Sequence, residues 1–168
     1  MKPIKQLIVL FFALILVSAC GGGSSTPTGS TSGSSAAPVA TVVKADKGMV
    51  KVATDPKLGA YLTDGSGMTL YTYANDEKGK SNCTSFCLQS WPAFSVADGP
   101  KPGDGVQAAL LSTFKREDGA TQITYNGLPL YQYRADVKEG DVKGQNSSQL
   151  WFVIGPTGEV NKTIPPAS

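Results

Sequence analysis

Gly67-Met68-Thr69-Leu70-Tyr71-Thr72-Tyr73-Ala74-Asn75-Asp76 and Gly127-Leu128-Pro129-Leu130-Tyr131-Gln132-Tyr133-Arg134-Ala135-Asp136 align without a gap at an offset of sixty residues. Glycine, leucine, both tyrosines and the aspartate coincide, and the same offset carries Trp91 onto Trp151. A shared G-x-x-L-Y-x-Y-x-x-D with a tryptophan fifteen residues further on marks duplication of one supersecondary unit.

Each copy reads as β. Ala60-Tyr61-Leu62-Thr63 runs into the turn Asp64-Gly65-Ser66-Gly67 and then Met68 to Tyr73. In the second copy Ala120 to Tyr125 meets Asn126-Gly127, a strong hairpin dipeptide, followed by Leu128 to Tyr133. Leu110 to Lys115 forms a further strand before Glu117-Asp118-Gly119, and Trp151 to Ile154 another before Gly155-Pro156-Thr157-Gly158. Pro129 falls at a strand start, where a missing N–H is tolerated. Only Thr84 to Trp91, beside the cysteine pair and stopped by Pro92, has helical character. The spacing predicts a mainly β domain over residues 48–168, with two tandem antiparallel units (about 59–94 and 119–154) sharing one core.

These residues resemble the bacterial lipoproteins known as secreted repeats of unknown function, marked by Y-x-[FY]-x-x-D. The matching stretches are GMTLYTYANDEKGKSNC with CLQSWPAF, then KREDGATQITYNGLPLYQY with ADVKEGDVKGQ and the second tryptophan. The resemblance covers nearly all of residues 58–155 and implies tandem β units, an envelope location and no established biochemical activity.

The N-terminus reads as an export signal, residues 1–19. Lys2 and Lys5 precede an unbroken apolar run, Leu7 to Val17, too short for a bilayer span of roughly 20 residues. It ends in Val17-Ser18-Ala19-Cys20, which resembles the lipobox of bacterial lipoproteins, so Cys20 is expected to carry diacylglycerol and become the mature N-terminus. Gly21 favours the outer membrane in a two-membrane host; in a single-membrane host the anchor sits in the outer leaflet of the plasma membrane. Residues 20–47 are rich in Gly, Ser, Thr, Pro and Ala, a flexible tether with a reach of about 25–30 Å.

Loss of Lys2 and Lys5 with the signal brings 15 basic residues to 13, equal to the 13 acidic ones. With no basic run, nucleic-acid binding has no support, and the expected partners are the membrane, through lipid, and an unidentified envelope partner. There is no histidine. Ser-His-Asp and Cys-His catalysis, His-ligated metal and the C-x-x-C-H haem motif are excluded together, so no enzyme activity, cofactor or metal is expected.

With Cys20 lipidated, Cys83 and Cys87 form a pair, by default a structural disulfide with Cys83 ahead of the first helical turn. Lys143 and Ser147 occupy the same places in the second repeat, so the fold does not demand the bridge. A redox-active pair is the sharper alternative, set against a spacing that is not C-x-x-C. Tyr71, Tyr73, Tyr131 and Tyr133 are expected to pack with Trp91 and Trp151 on a half-buried sheet, hydroxyls at the rim. The alternative is an aromatic surface for a flat cofactor such as haem, with tyrosine as ligand. Asp76 and Asp136 are expected to cap turns, and Asp136, Glu139 and Asp141, interrupted by lysines, make a poor calcium set. These six aromatics and two aspartates are the candidate binding residues of a non-catalytic module, the alternative being an accessory redox or haem-binding protein.

The intact mass of membrane-extracted protein should show residues 1–19 gone and Cys20 bearing two ester-linked acyl chains, usually with a third on its amine. A mature product that stays in water without detergent would contradict the lipobox reading.

Overall fold

The computed structural model describes residues 47–164, so the signal, Cys20 and the tether lie outside the described residues. The first repeat contributes β1 (Met49–Asp55), β2 (Gly59–Asp64), β3 (Tyr71–Tyr73), the short helix α1 (Phe86–Ser90) and β4 (Lys101–Pro102). A single 3-10 turn, Ala108–Leu110, leads to β5 (Leu111–Lys115), β6 (Thr121–Tyr125), β7 (Leu128–Pro129), β8 (Trp151–Ile154) and β9 (Val160–Asn161). They form three small sheets ordered β2-β1-β4, β3-β8-β9 and β5-β6-β7. The mainly β reading holds, as does the lone helix beside the cysteines.

Each repeat opens with an antiparallel hairpin, β1 with β2 and β5 with β6. The outermost pairs are Val50↔Asp64 in the first and Leu111↔Tyr125 in the second. Residues 50 and 64 therefore map onto 111 and 125, a displacement of sixty-one rather than sixty. Leu62 and Ile123, both fully buried, are the matching core residues. The next turn absorbs the extra residue. Asn126 and Gly127, at φ 50° and 80°, make a two-residue connection between Tyr125 and Leu128. Asp64 to Met68 takes three, and the Asp64 carboxylate accepts the N–H groups of Ser66 and Met68. From Gly67 and Gly127 onward the sixty-residue offset holds, so the expected superposition of 59–94 on 119–154 slips by one ahead of the turn.

The repeats then exchange strands. β3 of the first pairs with β8 of the second, placing Tyr71 opposite Val153 and Tyr73 opposite Trp151. Sixty residues away on each strand, Tyr131 bridges Ala93. Tyr71 and Tyr131 also pair with each other: Tyr71 N–H donates to Tyr131 O at 2.8 Å, and Tyr131 N–H to Tyr71 O at 2.9 Å. A residue paired antiparallel with its own counterpart puts a local twofold axis between the two. The sheet β3-β8-β9 thus draws its strands from both repeats.

Residues of both repeats fill both parts of the core. Val50, Leu62, Leu70, Ile123, Leu130 and Ile154 form an aliphatic cluster, closed by Phe94 and Tyr125. The second cluster is aromatic and holds Tyr71, Trp91, Tyr131 and Trp151 with Leu58, Tyr61, Cys83 and Val153. Trp91 and Trp151 are 6% and 4% exposed, which places them in like environments as the repeat requires. Their backbone N–H groups donate to Cys87 O and Ser147 O, again sixty residues apart. The segments leading to them differ. The first has helix α1, entered through Ser85 at φ 42°, whereas the second is irregular, with Asn146, Ser148 and Gln149 at positive φ. The helix is thus shorter than the expected Thr84 to Trp91.

Because each tryptophan packs against strands of both repeats, Trp151→Ala should cost about 3–5 kcal/mol. Chemical denaturation should then show both hairpins unfolding in one transition; loss of the second repeat's signals alone would contradict a shared core.

Candidate functional site

The exchange of strands brings the eight candidate residues into one cluster. Tyr73, Trp151, Trp91 and Tyr133 form a column of four rings. The tryptophans lie parallel with centroids 3.8 Å apart, and each is capped by a tyrosine, Tyr73 on Trp151 at 4.5 Å and Tyr133 on Trp91 at 4.1 Å. Each cap belongs to the repeat opposite its tryptophan. Tyr71 meets Trp91 edge-on at 5.4 Å and Tyr131 meets Trp151 edge-on at 5.2 Å. Such pairs add about 0.5–1.5 kcal/mol each beyond the area they bury.

The hydroxyls separate into two kinds. Tyr73 and Tyr133 are half-buried, and the Tyr73 hydroxyl accepts from Asn75 near solvent, as a rim position requires. Tyr71 and Tyr131 are wholly buried, and here the rim expectation is wrong. Tyr71 Oη donates to Asp136 Oδ2 and Tyr131 Oη to Asp76 Oδ2, both at 2.6 Å. Each bond runs from one repeat's tyrosine to the other's aspartate. A tyrosine buried to its oxygen must find an acceptor or lose the free energy of that hydrogen bond.

The aspartates do not make the local Asx turns expected of them; each spends one oxygen on an amide six or seven residues further along its own loop. Asp76 Oδ1 accepts Asn82 N–H at 2.7 Å and Asp136 Oδ1 accepts Lys143 N–H at 3.0 Å. Burial pushes both carboxyls above the ordinary aspartate range, while the tyrosine and backbone donors pull them back. Burial first, then the adjacent carboxylate, drives both phenols well above their usual value.

Around this crossed pair the two halves diverge. The Tyr71 oxygen also accepts Gly144 N–H at 3.1 Å, and a Cβ at Gly144 would lie 2.7 Å from the Tyr71 ring and 2.8 Å from Trp91. At the other tyrosine, Ser81 Oγ lies 2.6 Å from Tyr131 Oη. Arg116 reaches in below it, donating to Ser81 Oγ, Gln122 Oε1 and Cys83 O, with Asp118 on its Nε. Arg116, Gln122, Ser81 and Gly144 were not among the candidates. Lys115-Arg116-Glu117-Asp118-Gly119 reads as a turn, and only its place over Ser81 gives Arg116 its role.

Cys83 and Cys87 are disulfide-bonded with Cα atoms 5.3 Å apart, Cys83 fully buried and ahead of α1. Asp141 accepts Val137 N–H, Lys138 N–H and Lys143 Nζ, which commits it to its own loop. Among the described residues no three acids or cysteines converge as a metal site.

Two stretches of the chain, residues 52–95 and 112–154, match the family described as secreted repeat of unknown function, and together they exceed half its length. The chain belongs to that family. No curated protein and no solved structure gave a match. For this family member the structure assigns each position of Y-x-Y-x-x-D. The first tyrosine donates to the aspartate of the other repeat, the second caps the other repeat's tryptophan, and the aspartate closes its own loop while receiving the foreign hydroxyl.

Tyr71→Phe removes one donor from a buried carboxylate and should cost about 1–3 kcal/mol. It should raise the pKa of Asp136 and leave Asp76 unmoved, as read by carboxyl carbon NMR through a pH titration; Tyr131→Phe should do the converse. A shift of the aspartate in the same repeat would contradict the crossing. Because both native values lie above those of the unfolded chain, these aspartates contribute stability below the ordinary aspartate pKa. That contribution is lost as pH rises through the native values.

Proposed function

We propose that this protein is a lipid-anchored, non-catalytic module of the cell envelope that binds or scaffolds an envelope partner. The observation that carries this reading is that its chemistry-bearing side chains are spent on the fold. Both buried tyrosine hydroxyls, both motif aspartates and the two tryptophans satisfy one another across the repeats. Such an arrangement produces a rigid body, and the surface beyond it is left to make contacts. The family's description as secreted, the lipobox at Cys20 and the polar tether of residues 20–47 support an envelope setting, at the outer membrane where the host has two. Among the described residues no helix is long and apolar enough to cross a membrane, which fits attachment through lipid.

The redox or haem-binding alternative gains nothing from the geometry. A haem ligated by Tyr71 or Tyr131 would have to break a 2.6 Å bond to aspartate inside the core. Cys83 is enclosed, so exchange at the disulfide would have to begin at the half-buried Cys87.

In cell fractionation, Cys20→Ala should move the protein from the membrane to the soluble fraction with the domain still folded. The natively purified protein should absorb only as its aromatics do. A Soret band, or membrane retention of the alanine variant, would refute this function or this anchor respectively.

A further inference from the structure

Between the loop that carries the disulfide and the tip of the second hairpin lies a groove of about 570 Å³. Ser81, Thr84, Ser85 and Leu88 line one side, and Phe114 to Asp118 line the other. Small-molecule sites run from about 300 to 1,000 Å³, so the size suits a compact ligand. The counterparts of these walls are engaged elsewhere, so the groove does not follow from the repeat. Gln145, sixty residues after Ser85, donates its side-chain amide to Asn161 O at 2.7 Å and to Thr163 O at 2.9 Å. Asp55, sixty-one residues before Arg116, accepts the N–H groups of Lys57 and Leu58 in its own turn. Leu58 is itself buried, whereas Gly119 stands at its place in the second hairpin.

The charges of the walls are largely settled within the protein. Lys80 Nζ lies 3.0 Å from Glu77, Arg116 Nε lies 3.2 Å from Asp118, and Lys115 Nζ donates to Gly119 O at 3.1 Å. With Glu117 counted, the cations Lys80, Lys115 and Arg116 are matched by as many carboxylates, so an ionic ligand meets no unopposed charge. What is left to offer is hydroxyl and apolar surface. Thr84 and Ser85 are exposed, and the Ser85 side chain makes no cap bond to α1. Leu88 and Phe114 are half-buried. We infer that this groove binds a neutral sugar, one or two pyranose units of an envelope glycan. A pyranose has an apolar C–H face and a rim of hydroxyls, each able to donate and to accept. Phe114 and Leu88 match the face, while Thr84, Ser85, Lys115 and Glu117 supply donors and acceptors for the rim. Arg116, held by Asp118, Ser81, Gln122 and Cys83 O, fixes the floor before any ligand arrives and so lowers the ordering cost of binding.

This rests on the reading of the protein as an envelope binding module and gives that module a ligand class. The full mature lipoprotein, in micelles of a detergent without a sugar head group, is titrated with cellobiose and with N,N′-diacetylchitobiose and followed by NMR. At least one of them should shift the backbone amides of Thr84, Ser85 and Lys115 saturably, with a Kd of about 1 mM. The indole signals of Trp91 and Trp151 should stay in place, which reports that the fold is intact. Phe114→Ala should raise the Kd about tenfold. Thr84→Val, at an exposed position, should raise it about threefold with the fold undisturbed. Three results would overturn the proposal: no shift with either sugar, a Kd unchanged in both variants, or the same shifts produced by sodium glutamate or phosphate, which would make this an ion site. A folded domain that ignores both sugars while Cys20 still holds it to the membrane sinks the ligand class alone and leaves the anchored module standing.

Discussion

Two hydrogen bonds of 2.6 Å, Tyr71 to Asp136 and Tyr131 to Asp76, are the constraint around which this domain is arranged. Each joins a buried hydroxyl of one repeat to a carboxylate of the other, and each requires the two central strands to run past one another. Once Tyr71 and Tyr131 pair backbone to backbone, their side chains extend into opposite halves and the tryptophans are brought face to face. Charged groups are costly to bury unless well partnered, and here each aspartate has its donors built in: a foreign phenol on one oxygen and a loop amide on the other. The aliphatic cluster adds cohesion, but it could be filled by many combinations of Leu, Ile and Val. Register and partner choice come from the polar pair.

The symmetry stops at the inner shell. One tyrosine oxygen is completed by a glycine amide and the other by a serine backed by a buried arginine. A disulfide holds the approach to Trp91, while a run of turns with three positive-φ residues holds the approach to Trp151. The two copies have thus found different solutions for supporting the same ring column, which is why the flanking sequences diverged while Y-x-Y-x-x-D did not.

Much of this was legible in the residues. The period-two placement of Tyr71 and Tyr73, and of Tyr131 and Tyr133, put each pair on one face of a strand, and the Trp91–Trp151 correspondence gave a duplicated unit. Asn126-Gly127 announced its turn by composition. What periodicity cannot supply is the partner. It says which face is buried and is silent on whether β3 meets the strand of its own repeat or the other, so the tyrosines were expected to end at a rim and the aspartates only to cap turns. The one-residue slip hid for a related reason: the difference lies in turn length, where alignment of the conserved motif has no purchase. Arg116 was missed because a charged residue beside Glu117-Asp118-Gly119 reads as solvated, and its burial depends on a loop thirty-five residues away.

The local twofold axis has a consequence for how such a chain must be built. A polypeptide carrying one repeat would end with half a ring column, a phenol without its acceptor and a carboxylate without its donor, and it could satisfy these only by meeting a copy of itself. Its folding would then be bimolecular, sensitive to dilution and to the supply of neighbours. Joining two copies in tandem turns that encounter into an intramolecular one, with an effective concentration set by the connecting segment rather than by expression level. Duplication of this unit amounts to the chain carrying its own dimer partner.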